Sequence, residues 1–356
     1  MDALSKHVGS RDNNFNLIRV LAASAVLITH GFALSVGSRE AEPQIAGLGM
    51  TMGSVAVDVF FVTSGFLVTA SLLSRGHLVA FLCSRFLRIY PALIVAVLLS
   101  VFGVGLFFTS QSVSSYLGDP QTLRYLSKNV SLFFGVTYTL PGVFADNPYQ
   151  AAVNGSLWTL PYEVWMYAIL ATIWALGRLL DGENSRLFER VTVFLACASV
   201  ALNIFAHFVW DYDSKFLPLF SMFFSGAAYF ILRDKVPSSP ILFFSLSGIT
   251  ICALSIQDAL FVAYTLFLPY CLLFLAYVQY MPLLKFNLLG DYSYGIYIYA
   301  FPVQQSIAAL IPKITVLHLF IISFSITAIV AVLSWHFIEK GALRLKERTI
   351  AFFGVR

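Results

Sequence analysis

Read for apolar and polar positions alone, the chain is a succession of long apolar runs joined by short polar connections. Runs near the ~20 residues needed to cross a hydrocarbon core fall at 16–36, 49–73, 89–109, 156–177, 189–210, 216–232, 240–255, 259–280, 291–311 and 315–337. They are apolar all round, without the polar stripe of a helix on a soluble bundle. The pattern predicts an all-α polytopic membrane protein of about ten transmembrane helices, the seventh being short. Residues 110–155 form the one long connection, and its apolar stretch LFFGVTYTL is too short to span. Two readings stay open there: re-entry into the membrane, or a cap over a cavity.

Composition agrees with the pattern. Of 356 residues, 59% are hydrophobic and 11% charged, where soluble domains carry about 25% charged residues. The basic residues then orient the runs. With the N-terminus inside, Lys6, Arg11, Arg75, Arg85, Arg88, Arg178, Arg186, Arg190, Arg233, Lys235, Lys285, Lys340, Arg344, Lys346, Arg348 and Arg356 fall on one side. Only Arg39, Arg124, Lys128, Lys215 and Lys313 fall on the other. Sixteen against five predicts both termini in the cytoplasm.

Several chemistries drop out. Cys197, Cys252 and Cys271 lie in apolar runs and Cys83 in a short basic loop, with no metal-ligand spacing and no readable disulfide framework. No metal is expected. The net charge of +4 is spread along the chain, so no nucleic-acid partner is expected. The polar start MDALSKHVGSRDNN has no separate leader pattern, and no internal repeat or Gly-rich phosphate loop is present.

Four ionisable residues sit inside apolar runs, where such groups are costly and usually face a protein-lined interior: Arg19, His30, Asp58 and Glu163. Arg19 and His30 are eleven residues apart. That is about 16 Å of helix, with a return to within about 20° of the starting direction, so they share a face. Counted along their helices, His30, Asp58 and Glu163 lie roughly 9, 13 and 10 Å below the outer side. Plainer readings stand beside the functional one. Arg19 can snorkel to headgroups, His30 can rest neutral against a backbone carbonyl, and Asp58 can simply partner a basic group. Arg85 and Arg88, at i and i+3, are either positive-inside anchors or a fork for phosphate. The remaining histidines lie in the tail, in a loop or near run ends.

The ordered set of motifs resembles the acyltransferase 3 family of membrane acyltransferases. Arg19 and His30 match its arginine–ten residues–histidine pattern. DVFFVTSGFLVT (58–69) is similar to its Phe-Phe-x-x-Ser-Gly-Phe segment, and SRFLRIYPALI (84–94) to its Arg-x-x-Arg stretch. GSLWTLPYEVWMY (155–167) matches the tryptophan–glutamate segment at Trp158 and Glu163, and GDYSYGIYIYAFPV (290–303) and SWHFIEKGALRLK (334–346) resemble the C-terminal motifs. Ala300 stands where many members have histidine, and Gly341 where many have proline, so no catalytic role is placed there.

The resemblance implies a single membrane domain over 1–356 with no fused soluble domain. It implies a bacterial cytoplasmic membrane protein that moves an acyl group, mostly acetyl, from cytoplasmic acetyl-CoA (acyl-CoA) to a hydroxyl of a surface glycan or lipid-linked glycan such as an O-antigen, exopolysaccharide or Nod factor. Acyl-CoA is then a substrate and no cofactor is bound. Arg19, Arg85 and Arg88 would hold the donor phosphates and His30 would act as general base. Glu163 or Asp58 would orient His30, Glu163 alternatively binding the acceptor. Ser64, Trp158 and Tyr297 would line the pocket, and a covalent acyl-histidine is the less favoured route. The rival class is a transporter or flippase for a glycan or lipid-linked substrate, which also buries charges among many spans. A non-catalytic assembly subunit is a third.

Overall fold

A computed structural model of the chain describes residues 3–9, 12–182, 186–210 and 214–345. Arg11, Lys346, Arg348 and Arg356 of the charge count lie outside the described residues. Each of the ten apolar runs forms a helix. The long helices are α1 (Phe15–Val36), α2 (Met52–Arg75) and α3 (Leu78–Leu98), the last extended by a π-helical segment, Leu99–Gly105. In the connection that follows lie α4 (Val113–Gly118) and α5 (Pro120–Ser131). Then come α6 (Leu160–Asp181), α7 (Arg186–Val209), α8 (Phe216–Ile231), α9 (Pro240–Cys252), α10 (Gln257–Ala276), α11 (Ser293–Leu310) and α12 (Val316–Ser334). A two-residue hairpin, Gln44–Ile45 against Met50–Thr51, sits between α1 and α2.

Seven of these helices, counting α3 and α12 with their extensions, are long and apolar enough to cross a membrane. α8 and α9 are shorter, and α11 is richer in polar and tyrosine side chains. The outer surface agrees with a lipid solvent: Leu179 and Phe337 are each 79% exposed, and Phe244 and Ile241 nearly as much. In water such a belt of large apolar side chains would be an aggregation face. The protein is a multi-pass membrane protein.

Local chemistry sets the helix ends. Thr51 caps α2 by accepting from the Ser54 amide at 3.1 Å, and Ser239 caps α9 ahead of Pro240. The first correction to the sequence reading concerns α3. It starts at Leu78 rather than near residue 89, which places Cys83 in a helix instead of a loop. It also places Arg85 and Arg88 about two and three turns inside. Hydropathy cut the span short because the inward-facing arginines read as a boundary.

α1 packs against α2, α11 and α12, and α2 packs along α8. The α2–α8 contact is backbone against backbone. A Cβ on Gly65 would lie 1.9 Å from the Phe223 carbonyl oxygen, and one on Gly226 would lie 2.1 Å from that of Val62. Gly65 is the glycine of the SGF motif, so part of that motif is a close-packing device of the kind membrane helices use.

The long connection is folded against the bundle. Beyond α5 it runs irregularly, burying Leu140, Val143, Phe144 and Val153. Asn147 Nδ2 donates to the Gln305 carbonyl at 2.9 Å, Gln305 Nε2 donates to the carbonyls of Tyr149 and Ala152, and Asn154 Nδ2 donates to Ile298. These bonds tie the connection to α11 as a cap over the end of the bundle that carries His30.

Gly226→Ala is expected to lower stability by about 1–3 kcal/mol through overpacking, read as a lower melting temperature of the detergent-purified protein. Gly248→Ala, at a position with nothing within 4 Å, is the control and should leave it unchanged or slightly raised.

Candidate functional site

The site is a file of cavities along α1. At the His30 end lies a cavity of about 440 Å³ whose walls include His30, Arg39, Glu42, Trp158, Tyr162 and Lys215. It shares Arg39, Tyr138, Tyr149 and Phe301 with a cavity of about 530 Å³ nearer the mouth. The connection 110–155 supplies Tyr138 and Tyr149, so it forms part of the wall. Arg39 Nε donates to the Tyr149 hydroxyl at 2.8 Å, fixing that wall to the segment after α1. Burial pushes the Glu42 carboxyl up, opposed by the nearby Arg39 charge.

His30 meets Phe301 edge-on at 5.2 Å between ring centroids. Its Nδ1 is buried with no hydrogen-bond partner among the described residues. Neither expected carboxylate bonds it. Asp58 is buried and accepts from the Tyr264 hydroxyl at 2.6 Å, on the side of α10. It lies one residue, and so about 100°, off the cavity face that Val57, Phe61, Ser64 and Val68 present. Glu163 lines the narrow spaces further along. Its Oε1 accepts from Ser64 Oγ at 3.3 Å and from the Tyr167 hydroxyl. The depth count placed the three groups level; the structure separates them, because depth ignores rotation. It also ignores the 3-10 turn Gly155–Thr159 ahead of α6, which rises about 2.0 Å per residue rather than about 1.5.

Between the two ends the space narrows to about 30 Å³, bounded by Val57, Phe60, Ser64, Glu163 and Tyr297 among others. Tyr297 closes it towards His30: its hydroxyl is 2.7 Å from Thr159 Oγ1, and its ring meets Phe60 at 5.6 Å. Beyond lies a cavity of about 60 Å³ lined by Arg19, Arg85, Arg88, Ser64, Glu163 and Tyr167. The three predicted arginines therefore share one cavity, and Arg19 and His30 project into the same file from one face of α1.

Two acidic residues at this level were not foreseen. Asp291, just before α11, accepts from Arg19 Nη1 at 2.7 Å and from Arg88. Glu339 accepts from Arg88 Nη1 at 3.2 Å. Glu339 lies in a second π-helical segment, Trp335–Glu339, whose i→i+5 pitch brings it onto Ser334, five residues earlier, with Oγ to Oε1 at 3.1 Å. The signal available in the sequence was charge balance: three inward arginines require counter-charges. Arg85 makes no ion pair among the described residues; it sits over the Tyr167 ring at 5.9 Å. Four of the other histidines have local partners: His7 stacks on Tyr277 at 6.0 Å, His207 stacks on Phe261 at 3.9 Å and bonds Asp258, His318 bonds Thr315, and His336 bonds the Val332 carbonyl.

A profile of the acyltransferase 3 family, described as an acyltransferase domain, matches residues 12–335, a range that takes in most of the cavity walls. The chain belongs to this family. An O-acetyl transferase of Shigella phage Sf6 is 29% identical over 350 residues, covering 94% of this chain and 96% of that one. Nodulation protein 10 of Rhizobium leguminosarum bv. viciae is 26% identical over 386 residues, covering 99% and 98%. No solved structure matches. The acyltransferase 3 assignment and the phage relative make the protein an O-acyltransferase.

The arginines of this acyltransferase 3 protein should separate by stability. Arg88→Ala leaves two buried carboxylates short of their partner and is expected to cost about 3–5 kcal/mol. Arg85→Ala breaks no ion pair and should unfold close to the wild type, both followed by thermal melting in detergent.

Proposed function

We propose that this O-acyltransferase takes an acyl group, acetyl in the first place, from cytoplasmic acyl-CoA and delivers it to a hydroxyl of a cell-surface glycan. It would do so in a bacterial cytoplasmic membrane, with ten spans and both ends inside. One observation carries the reading. A cavity rich in guanidinium groups and a larger cavity holding an uncommitted histidine lie in file, each sharing wall residues with the narrow space between them. Guanidinium suits the donor's phosphates. The separation along α1 between Arg19 and His30, about 16 Å, is of the order of an extended pantetheine arm. The His30 cavity, walled by Tyr138, Tyr149, Tyr162 and Trp158, has the aromatic faces and hydroxyls that sugar rings use.

In this mechanism the pantetheine arm threads past Tyr297 and presents its thioester below His30. Passage requires the Phe60 and Tyr297 rings to part, since a space of about 30 Å³ has room for no more than a few water-sized groups. His30 takes the proton of the acceptor hydroxyl, and the oxygen attacks the thioester carbonyl. As the carbon–sulfur bond breaks, the imidazolium returns the proton to the departing thiolate. Among the described residues no carboxylate bonds the ring, and Phe301 and the cavity wall would hold it. Glu163, with Ser64 and Tyr167, lies on the donor route, and Asp58 serves the contact with α10.

Membrane vesicles given acetyl-CoA labelled in the acetyl group and the parent glycan are expected to show label in the glycan. His30→Ala should reduce transfer by about 10²–10⁴-fold at equal expression. Uptake of label without transfer would favour the transporter class instead.

A further inference from the structure

Asp291 and Glu339 are built alike. Each commits one carboxylate oxygen to its own segment and the other to arginine. Asp291 Oδ1 accepts from the Ser293 amide at 3.3 Å and from the Ser293 hydroxyl, at the start of α11, while Oδ2 receives Arg19 and Arg88. Glu339 Oε1 receives Ser334, and Oε2 receives Arg88. A carboxylate anchored at one oxygen sets where its guanidinium partner sits, and both anchors rest on backbone features: a helix start and a π turn. Arg19 and Arg88 are thereby pinned from α11 and α12, and further constrained by rings, Phe60 at 5.9 Å from Arg19 and Tyr294 at 5.7 Å from Arg88. Arg85, in the same cavity wall, makes no ion pair among the described residues; Glu163, the carboxylate of that wall, is bonded to Ser64 and Tyr167.

We infer that Asp291 and Glu339 are positioning residues for the acyl donor: they hold Arg19 and Arg88 as a rigid frame and leave Arg85 as the guanidinium that meets the donor's phosphate. The inference rests on the donor reading above and adds a division of labour among the three arginines. It also assigns work to the GDYSY and WHFIEK segments, which contribute no group to the His30 cavity. The frame is needed because guanidiniums gathered in one cavity repel, and a bridging anion converts two of them into a fixed wall. The opposing possibility is that Asp291 merely occupies the place a phosphate takes, in which case removing its charge would strengthen binding.

Acetyl-CoA binding to the detergent-purified full chain, together with steady-state kinetics, decides between them. Asp291→Asn is expected to weaken acetyl-CoA binding on the order of 10- to 100-fold, the worth of one charge-assisted hydrogen bond, with kcat at saturating donor nearly unchanged. Asp291→Glu, which keeps the charge, should recover part of the loss. Glu339→Gln should weaken binding in the same direction through Arg88 alone, and it carries the test if Asp291→Asn does not purify folded. Tighter binding in Asp291→Asn, or a fall in kcat with KM unchanged, overturns the inference. Arg85→Ala separates the layers. Wild-type acetyl-CoA binding in that variant overturns the donor reading itself. Loss there, with wild-type binding in both carboxylate variants, overturns the positioning role alone.

Discussion

A guanidinium held among lipid-facing helices needs its counter-charge within the protein, since bulk water is not there to screen it. Much of this architecture follows from that requirement. α3 carries two arginines well inside the bundle and α1 carries a third, and the compensating carboxylates come from the far end of the chain, before α11 and after α12. Pairing residues 19 and 88 with 291 and 339 closes the bundle across nearly its whole sequence. The packing obeys the same logic from the other side. α2 approaches α8 at two glycines, so that close van der Waals contact supplies the cohesion that a hydrophobic effect cannot supply between helices in lipid.

The two ends of the cavity file differ in kind because they face different demands. The Arg19 end is small, charged and internally paired. The His30 end is roomy, walled by tyrosines and partly built by a connection that is not a membrane helix. A loop at that end is affordable only because its backbone polar groups are tied to α11 by Asn147, Asn154 and Gln305. Gln305 is a buried amide in the middle of a helix, and its partners in the connection account for it.

What was legible in the sequence was what periodicity encodes. Ten apolar runs gave the helices, and the spacing of Arg19 and His30 gave one shared helix face, because a rise and a rotation per residue suffice for both. Asp58 and Glu163 were placed by rise alone, and rotation then carried Asp58 to Tyr264 while Glu163 went to Ser64 and Tyr167. Asp291 and Glu339 were invisible to a search for charges inside apolar runs, since each sits at an edge of one. The π turn that brings Glu339 onto Ser334 has no signature in a hydropathy trace. Arg85 and Arg88 were read as marking the start of a helix that in fact begins well before them.

The narrow point at Tyr297 completes the physical picture. If donor and acceptor meet from opposite sides of the membrane, as proposed, the enzyme has to join two compartments chemically without joining them by a pore. Two wide cavities in direct communication would leak, and an open thioester path would lose acyl groups to water. The structure instead interposes a space of about 30 Å³ between cavities, closed by the Thr159–Tyr297 hydrogen bond and the Phe60 ring. On the proposed reading, an extended arm that fills the constriction as it passes would keep the seal during transfer, and the returning rings would restore it afterwards. On that reading the aromatic residues of α2 and α11 would be as much a part of the chemistry as His30, because excluding water is what would let an imidazole and a thioester meet productively.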